Sequence, residues 1–208
     1  MGKITVVGLG PGSMDYITPA ALHKIQSAEI IIGGKRNVDS IKAFVRGKQI
    51  RHIDQALTYL LDYIKLHMGK KIVIVASGDA GFYGILDFVK RNFHNEEIEV
   101  VAGISSMQYM FAKIGESWWD AYITSAHGRE SDYIDKLDKY YKLGILTDKK
   151  HTPQYIAGEL LNAGYEEAEI IVGEELSYPQ ERIRTFKAKE LVDFEEEFEL
   201  NVVIVRRY

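Results

Sequence analysis

The 208-residue sequence contains no cysteine. This absence excludes a disulfide framework, a zinc site built from thiolates, an iron–sulfur cluster held by the chain and a cysteine nucleophile. No other pattern in the sequence predicts a metal site. Any chemistry that the chain performs must therefore proceed without a thiolate.

The sequence also lacks a surplus of positive charge and any long apolar run. It carries 26 Lys and Arg against 30 Asp and Glu, a formal net charge of −4, whereas non-specific nucleic-acid binders need a broad basic field. No run reaches the roughly 18 apolar residues of a membrane span, and Ile4–Val7 is too short for the core of a secretory signal. We expect a cytoplasmic protein with neither nucleic acid nor membrane as partner.

The first half of the chain alternates short β-branched runs with helical patterns. Such runs are typical of strands buried on both faces of a parallel sheet. Thr18-Pro19 supplies an N-cap and a first-turn proline for the first helix. The strands are predicted at residues 4–7, 30–32, 72–76 and 98–101. This alternation predicts an α/β domain with a parallel sheet.

The pattern pauses at Gly115-Glu116-Ser117 and then restarts. We therefore predict a first domain over residues 1–115 and a second over 116–208. Further strands are predicted at residues 122–125, 143–147, 169–172, 182–186 and 200–205. The final two are expected to be antiparallel, so the second domain is predicted to be a small α/β domain with a mixed sheet.

Three glycine-rich turns each follow a predicted strand of the first domain. They are Gly8-Leu9-Gly10-Pro11-Gly12, Ser77-Gly78-Asp79-Ala80-Gly81 and Ala102-Gly103-Ile104-Ser105-Ser106. Taken singly, each is explained as a tight turn, with Asp79 and Ser105 as helix caps. Because the carboxyl ends of parallel strands share one edge of the sheet, where ligands bind in open α/β folds, the three together predict a ligand site.

The first turn invites comparison with the dinucleotide-binding fingerprint, but the comparison fails. Its glycines follow G-x-G-x-G rather than G-x-G-x-x-G, and Pro11 stiffens the turn. The second strand ends in Gly33-Gly34, where a ribose-binding site would place an acidic residue. A nicotinamide or flavin dinucleotide is therefore the weakest alternative for the ligand.

Five segments of the sequence together resemble the tetrapyrrole (corrin/porphyrin) methylase family, and the resemblance extends over nearly the whole chain. The segments are the three turns, Glu175-Leu176-Ser177-Tyr178-Pro179 and Glu181-Arg182-Ile183. Within the family, Trp119-Asp120 and Ser125-Ala126-His127-Gly128-Arg129 are similar to the branch that methylates C5 of a corrinoid in cobalamin biosynthesis. Ala80 and Ala102 depart from the proline that family members often carry, so those turns are expected to be less rigid.

The resemblance implies S-adenosylmethionine as methyl donor, a cleft between the two domains and a homodimer. It implies cofactor contacts from Leu9 (main chain), Asp79, Phe82, Ser105, Ser106 and Thr147. The corrinoid carries many carboxylates, so basic residues are expected to bind it: Lys35, Arg36, Arg129 and Arg182. Each basic residue is equally well explained as a solvated surface side chain. His127 is the candidate general acid or base.

Two other functions stay open on the sequence. One is a family member that acts on another corrinoid carbon, or on protein or RNA; the other is a non-catalytic sensor of S-adenosylmethionine. The sequence lacks the additional domain with which fused relatives decarboxylate a side chain and methylate C15. We therefore expect the C5 step alone, with a separate C15-methyltransferase/decarboxylase as functional partner.

Overall fold

The computed structural model describes residues 3–53, 57–126 and 133–207. The chain divides into two compact units, Met1–Ser105 and Ser106–Tyr208. The division falls before the helix that starts at Ser106, whereas the sequence placed it after that helix, at residue 115. The packing of this helix, described below, explains the difference.

The first unit holds a five-stranded, fully parallel sheet in its described residues, with strand order β3-β2-β4-β1-β5. The strands are β1 (Ile4–Gly8), β2 (Ile30–Gly33), β3 (Gln49–His52), β4 (Ile72–Ala76) and β5 (Ile98–Val101). The helices are α1 (Pro19–Ser27), α2 (Lys35–Ser40), α3 (Leu57–Leu66) and α4 (Leu86–Asn92). The expected parallel sheet is confirmed.

Side chains alternate between the two faces of this sheet, and each face has its own core. Ile4 and Val6 on β1 pack with Leu60 and Ile64 of α3, while Val7 packs on the opposite face with residues of α1 and α2. Strands covered by helices on both faces read as continuous apolar runs, which explains why β1, β2 and β4 were visible in the sequence. The edge strand β5 was visible because three of its four residues are β-branched. Strand β3 was missed because it lies at the sheet edge and most of its residues are exposed.

Local sequence signals fix one helix start correctly and miss another. The Thr18 side chain accepts a hydrogen bond from Ala21 N at 3.2 Å, and Pro19 occupies the first turn of α1, as predicted. The sequence from about Phe82 to Arg91 predicts a further helix, but this helix starts only at Leu86. Before it, Tyr83 has φ +52° and Leu86 N donates to Ala80 O at 3.3 Å, so this segment forms a turn.

The described residues of the second unit form a mixed five-stranded sheet with strand order β6-β7-β10-β8-β9. Strands β6 and β7 are parallel, and the other neighbours are antiparallel. The strands are β6 (Tyr122–Ser125), β7 (Lys142–Leu146), β8 (Glu169–Glu174), β9 (Arg182–Lys187) and β10 (Asn201–Arg206). The helices are α5 (Ser106–Lys113), α6 (Tyr133–Tyr140), α7 (Pro153–Asn162) and α8 (Ala188–Leu191). The mixed sheet is the one expected.

Helix α5 packs on the second sheet through two methionines that lie over two glycines. A Cβ on Gly144 would stand 2.6 Å from Met107 Sδ, and a Cβ on Gly173 would stand 2.5 Å from Met110 Sδ. The thioethers thus fill the space that side chains would take, and α5 approaches the strands closely. This packing places α5 in the second unit.

Helices α6, α7 and α8 cover the opposite face of the second sheet around a core that includes Tyr133, Leu137 and Leu160. In the described part of the chain, no helix is both long and apolar enough to cross a membrane.

Candidate functional site

The first two glycine-rich turns meet at the carboxyl edge of the parallel sheet. Gly10 N donates to Gly78 O at 3.1 Å, and Gly78 N donates to Gly10 O at 2.8 Å. Both residues have left-handed backbones, with φ of +82° and +63°. Glycine adopts this conformation without strain, so the sequence of both turns suits their geometry.

The third turn packs directly against the other two. A Cβ on Gly8 would lie 2.6 Å from Gly78 O and 2.7 Å from Gly103 N, and a Cβ on Gly103 would lie 2.2 Å from Gly78 O. Real Cβ atoms do not approach backbone this closely. The three turns therefore form one cluster of main chain, as their positions after neighbouring strands predicted.

Asp79 links the second turn to the third. Its Oδ1 accepts from Gly81 N at 2.8 Å and its Oδ2 accepts from Gly103 N at 2.9 Å. It does not cap α4, which is preceded by Ile85. A carboxylate offers about four acceptor sites, so two remain for a ligand donor such as a hydroxyl.

The other predicted cofactor residues of the first unit differ in what they offer. The Leu9 side chain is buried in the core, so a ligand meets only its main chain. Ser105 is buried. Phe82 is half-buried, and its ring lies edge-on to Tyr83 with centroids 5.0 Å apart. Phe82 and the left-handed, exposed Tyr83 thus present aromatic surface beside Asp79.

The end of β2 reaches the same edge through Arg36. Lys35 and Arg36 open α2, and Arg36 Nη2 donates to Ser77 Oγ at 3.3 Å. This contact places a guanidinium next to the second glycine-rich turn. Sequence reasoning singled out Arg36 but missed Ser77, whose only signal is its place at the start of that turn.

The remaining predicted residues that are described lie in the second unit. Ser106 is the first residue of α5. The Thr147 hydroxyl, just after β7, lies 2.7 Å from Asn201 O and 2.8 Å from Asn201 Oδ1. Arg182 Nη2 donates to Glu174 Oε1 at 3.1 Å, and the Arg182 side chain is 51% exposed. His127 and Arg129 lie outside the described residues.

Glu174 is a buried carboxylate that sequence reasoning did not find. Besides Arg182, it accepts from Arg184 Nη2 at 3.0 Å and from Glu199 N at 3.2 Å. Burial opposes the charge of Arg184, but hydrogen bonds and charge from Glu196 and Glu174 outweigh burial and raise its pKa. A buried carboxylate requires such partners. Arg184 therefore stays charged and neutralises Glu174.

Aromatic rings surround the Arg184 guanidinium, whose carbon lies 4.8 Å from the centroid of Phe198 and 5.0 Å from that of Phe194. Its buried Nε has no hydrogen-bond partner among the described residues. These contacts fix Arg184 in place, in contrast to the half-exposed Arg182. Within the same described ranges, no three His, Asp or Glu side chains are grouped as a metal site.

Comparison with known proteins shows the family of this chain. Residues 3–192 match the family model described as Tetrapyrrole (Corrin/Porphyrin) Methylases. The chain belongs to this family, as the resemblance of the turns implied.

Individual members of the family are similar to this chain over almost their whole length. The chain is 34% identical over 202 residues, covering 97% of this chain and 98% of the relative, to the cobalt-precorrin-7 C(5)-methyltransferase of Salmonella typhimurium. It is 30% identical to the probable enzyme of the same name from Methanocaldococcus jannaschii, covering 91% and 92% of the two chains.

Solved structures share the fold at lower identity. The precorrin-6Y methylase from Archaeoglobus fulgidus superposes with a TM-score of 0.77 at 20% identity, covering 99% of this chain and 98% of that one. The uroporphyrin-III C-methyl transferase from Thermus thermophilus, solved in complex with S-adenyl homocysteine, gives 0.79 at 21% identity, with 99% and 98% covered.

Proposed function

We propose that this chain transfers a methyl group from S-adenosylmethionine to C5 of cobalt-precorrin-7 in cobalamin biosynthesis. The observation that carries the proposal is the nearly full-length similarity to a cobalt-precorrin-7 C(5)-methyltransferase from a bacterium and to a probable one from an archaeon. The matches cover 97% and 91% of this chain and therefore extend over both units. This similarity favours C5 over another corrinoid carbon and a catalyst over a non-catalytic sensor.

The turns of the first unit suit S-adenosylmethionine by the chemistry of their donors and acceptors. The cofactor carries ribose hydroxyls, an adenine ring and a sulfonium cation. Asp79 keeps acceptor sites for hydroxyls after its two main-chain bonds, and Phe82 with Tyr83 offers aromatic surface to a base and to a cation. Asp79, Phe82, Ser105 and the Leu9 main chain are the proposed first-unit contacts.

Two residues of the second unit complete the proposed cofactor set. Ser106 follows Ser105 directly in the chain and opens α5. The Thr147 hydroxyl has one proton, and Asn201 already supplies two acceptors for it. Thr147 can therefore accept a hydrogen bond from the cofactor while its own proton stays with Asn201.

The bound cofactor supplies an electrophilic methyl group, so the protein needs no activated nucleophile of its own. The task of the residues is to hold the corrinoid carbon in line with that methyl group and to exclude water. Positioning of this kind can lower a barrier by roughly 7–11 kcal/mol. The rigid cluster of Gly8, Gly78 and Gly103 main chain suits this role, because it fixes where Asp79 and Phe82 lie.

Basic side chains are the proposed partners of the substrate carboxylates. Arg36 lies at the sheet edge beside Ser77, with Lys35 adjacent in the sequence. Arg182 keeps guanidinium donors beyond its single bond to Glu174. By resemblance, Arg129 is proposed as a further carboxylate partner and His127 as the base that removes the proton from C5 after methylation.

We propose that the chain acts in the cytoplasm and that it forms a homodimer, the latter as the resemblance implies. A relative from Sinorhizobium named precorrin-6Y C(5,15)-methyltransferase [decarboxylating] is 25% identical over 183 residues, and the match covers 44% of that relative. The name of that relative joins C5 and C15 methylation with decarboxylation, which supports a separate C15-methyltransferase/decarboxylase as the proposed functional partner.

Incubation with cobalt-precorrin-7 and methyl-labelled S-adenosylmethionine tests the proposal. We expect the corrinoid to gain one labelled methyl group, detected by mass spectrometry, with stoichiometric release of S-adenosylhomocysteine. Binding of S-adenosylhomocysteine without transfer to any corrinoid would favour the sensor instead. A melting temperature of the chain that rises with NAD but not with S-adenosylhomocysteine would contradict S-adenosylmethionine as its cofactor.

A further inference from the structure

A strained loop follows β8 in the second unit. Glu175 and Ser177 have φ of +44° and +66°, a left-handed conformation that costs non-glycine residues about 1–3 kcal/mol each. Two such residues within three positions persist only where surrounding contacts hold them. Strain of this kind concentrates at functional sites.

Glu181 supplies the contact that holds the loop. Its Oε2 accepts from Ser177 N at 2.6 Å and from Tyr109 OH at 2.6 Å, and its Oε1 pairs with Lys113 Nζ at 2.8 Å. Burial opposes ionisation of Glu181, but the hydrogen bonds from Lys113, Tyr109 and Ser177 N outweigh burial and lower its pKa. The charged carboxylate thus binds the strained Ser177 directly and anchors it to α5.

Packing of apolar side chains also holds the loop in place. Leu176, between the two strained residues, is buried, and its Cδ2 would lie 2.9 Å from a Cβ on Gly173. Met110 Sδ of α5 fills the other side of the same space. Loop and helix therefore share one packed contact and one hydrogen-bonded contact. These contacts join the loop to the helix that begins at Ser106, a proposed cofactor residue.

The loop borders a cavity of about 520 Å³, a size within the roughly 300–1,000 Å³ of small-molecule sites. The donors on its wall are Arg182 and Gln180, whose Nε2 uses one of its two protons to donate to Glu175 Oε2 at 3.2 Å. Its lining residues are Glu174, Glu175, Gln180, Glu181, Arg182 and Glu199.

Two of the acidic lining residues already have cationic partners. Arg184 neutralises Glu174 from a fixed position, and Lys113 neutralises Glu181. Arg182 can therefore turn toward a ligand carboxylate while Glu174 remains paired.

We propose that Glu181 is a positioning residue for the corrinoid: by holding Ser177 left-handed against α5, it places Gln180 and Arg182 where they bind a carboxylate side chain of the macrocycle. The inference rests on the proposed function. It adds a substrate-positioning role for Glu181 and its loop within the second unit.

Substitution E181Q tests the role, with the Michaelis constant for cobalt-precorrin-7 as readout. The substitution removes the charge and leaves one acceptor oxygen for the donors Ser177 N, Tyr109 OH and Lys113 Nζ. The hold on Ser177 is therefore weakened, and we expect this constant to rise about tenfold, the effect of losing one charge-assisted hydrogen bond. The dissociation constant for S-adenosylhomocysteine, measured by calorimetry, and kcat are expected to stay within about twofold. Y109F, which removes one of the three partners, is expected to act in the same direction if E181Q does not fold.

Rescue by glycine separates positioning from general stabilisation. In the E181Q background, S177G is expected to restore the Michaelis constant, because glycine adopts φ +66° without needing Glu181. The matched control is E159Q, which removes a glutamate that accepts from the Tyr133 and Tyr155 hydroxyls in the same unit, away from the loop. E159Q is expected to lower the melting temperature without changing the Michaelis constant.

Each contrary outcome has a distinct meaning. An unchanged Michaelis constant in folded E181Q and Y109F, or failure of S177G to rescue, overturns the positioning role while leaving the proposed function intact. Absence of any turnover by the wild-type chain overturns the proposed function and, with it, this role.

Discussion

Gly103 lies against Gly78 so closely that a Cβ on Gly103 would stand 2.2 Å from the Gly78 carbonyl oxygen. This contact joins the turns after β4 and β5, and Asp79 reinforces it by accepting from Gly103 N. The relationship explains why glycine recurs at these turns: main chain, not side chains, builds the edge of the sheet.

Substitution G103A is expected to destabilise the chain by about 3 kcal/mol or more, because the new methyl group overlaps backbone that has no flexible end to move aside. S-adenosylhomocysteine binding, measured by calorimetry, is expected to fall with it. The control is G69A, since a Cβ on Gly69 meets nothing within 4 Å. Equal stability of the two variants in denaturant titrations would contradict the packing described.

Substitution D79A is expected to weaken binding of S-adenosylhomocysteine at least tenfold, because it removes a ligand acceptor and frees the Gly81 and Gly103 amides. D79N keeps one acceptor and is expected to fall between D79A and wild type. D87N, in the exposed first turn of α4, serves as control. Calorimetry that finds wild-type affinity in folded D79A would remove Asp79 from the cofactor site.

The sequence predicted the parts of the fold that depend on buried apolar periodicity or on local capping. Strands β1 and β4 were visible as runs, and Thr18-Pro19 marked the start of α1, because both signals are local. Strand β3 was missed because an exposed edge strand needs no apolar run. The short helices α2 and α8 were missed as well.

The candidate site was predictable only in outline. The glycine-rich turns indicated where main-chain segments would meet, and the order of the strands brings these turns together. The hydrogen bond from Gly103 N to Asp79 joins residues 24 positions apart in the sequence, and the one from Tyr109 OH to Glu181 joins residues 72 positions apart. Such pairs follow from tertiary packing and leave no local pattern. Helix α5 was assigned to the first domain for the same reason, since Gly144 and Gly173 reveal their role only beneath its methionines.

Substitution R36A is expected to raise the Michaelis constant for cobalt-precorrin-7 about tenfold through loss of a charge-assisted partner for a substrate carboxylate. Affinity for S-adenosylhomocysteine is expected to be unchanged. R46A removes an exposed arginine elsewhere in the same unit and is the control for net charge. Steady-state kinetics in which R36A and R46A behave alike would place Arg36 outside the substrate site.

Alkaline pH is expected to destabilise the chain partly through Tyr133. Burial first, and then the hydrogen bond to Glu159, raise the pKa of Tyr133. Because the folded chain holds this proton more tightly than the unfolded chain, the stabilising contribution is complete below pH about 10 and is lost as pH rises above it. Y133F should lower the melting temperature at neutral pH. Above pH 10, the melting temperature of Y133F should fall less steeply with pH than that of the wild-type chain.

The control for this titration is Y59F, which removes the hydroxyl of an exposed tyrosine in the first unit. Its melting temperature is expected to follow the wild-type decline between pH 9 and 11. Parallel curves for Y133F and wild type across that interval would show that Tyr133 does not contribute.

The central claim is methylation of C5. Its most direct test is a ¹³C NMR spectrum of the corrinoid product formed from cobalt-precorrin-7 and S-adenosylmethionine labelled with ¹³C in the methyl group. We predict a single new methyl resonance, correlated with the ring carbon C5. A labelled methyl group on any other carbon, or no labelled corrinoid from protein that binds S-adenosylhomocysteine, would contradict the account.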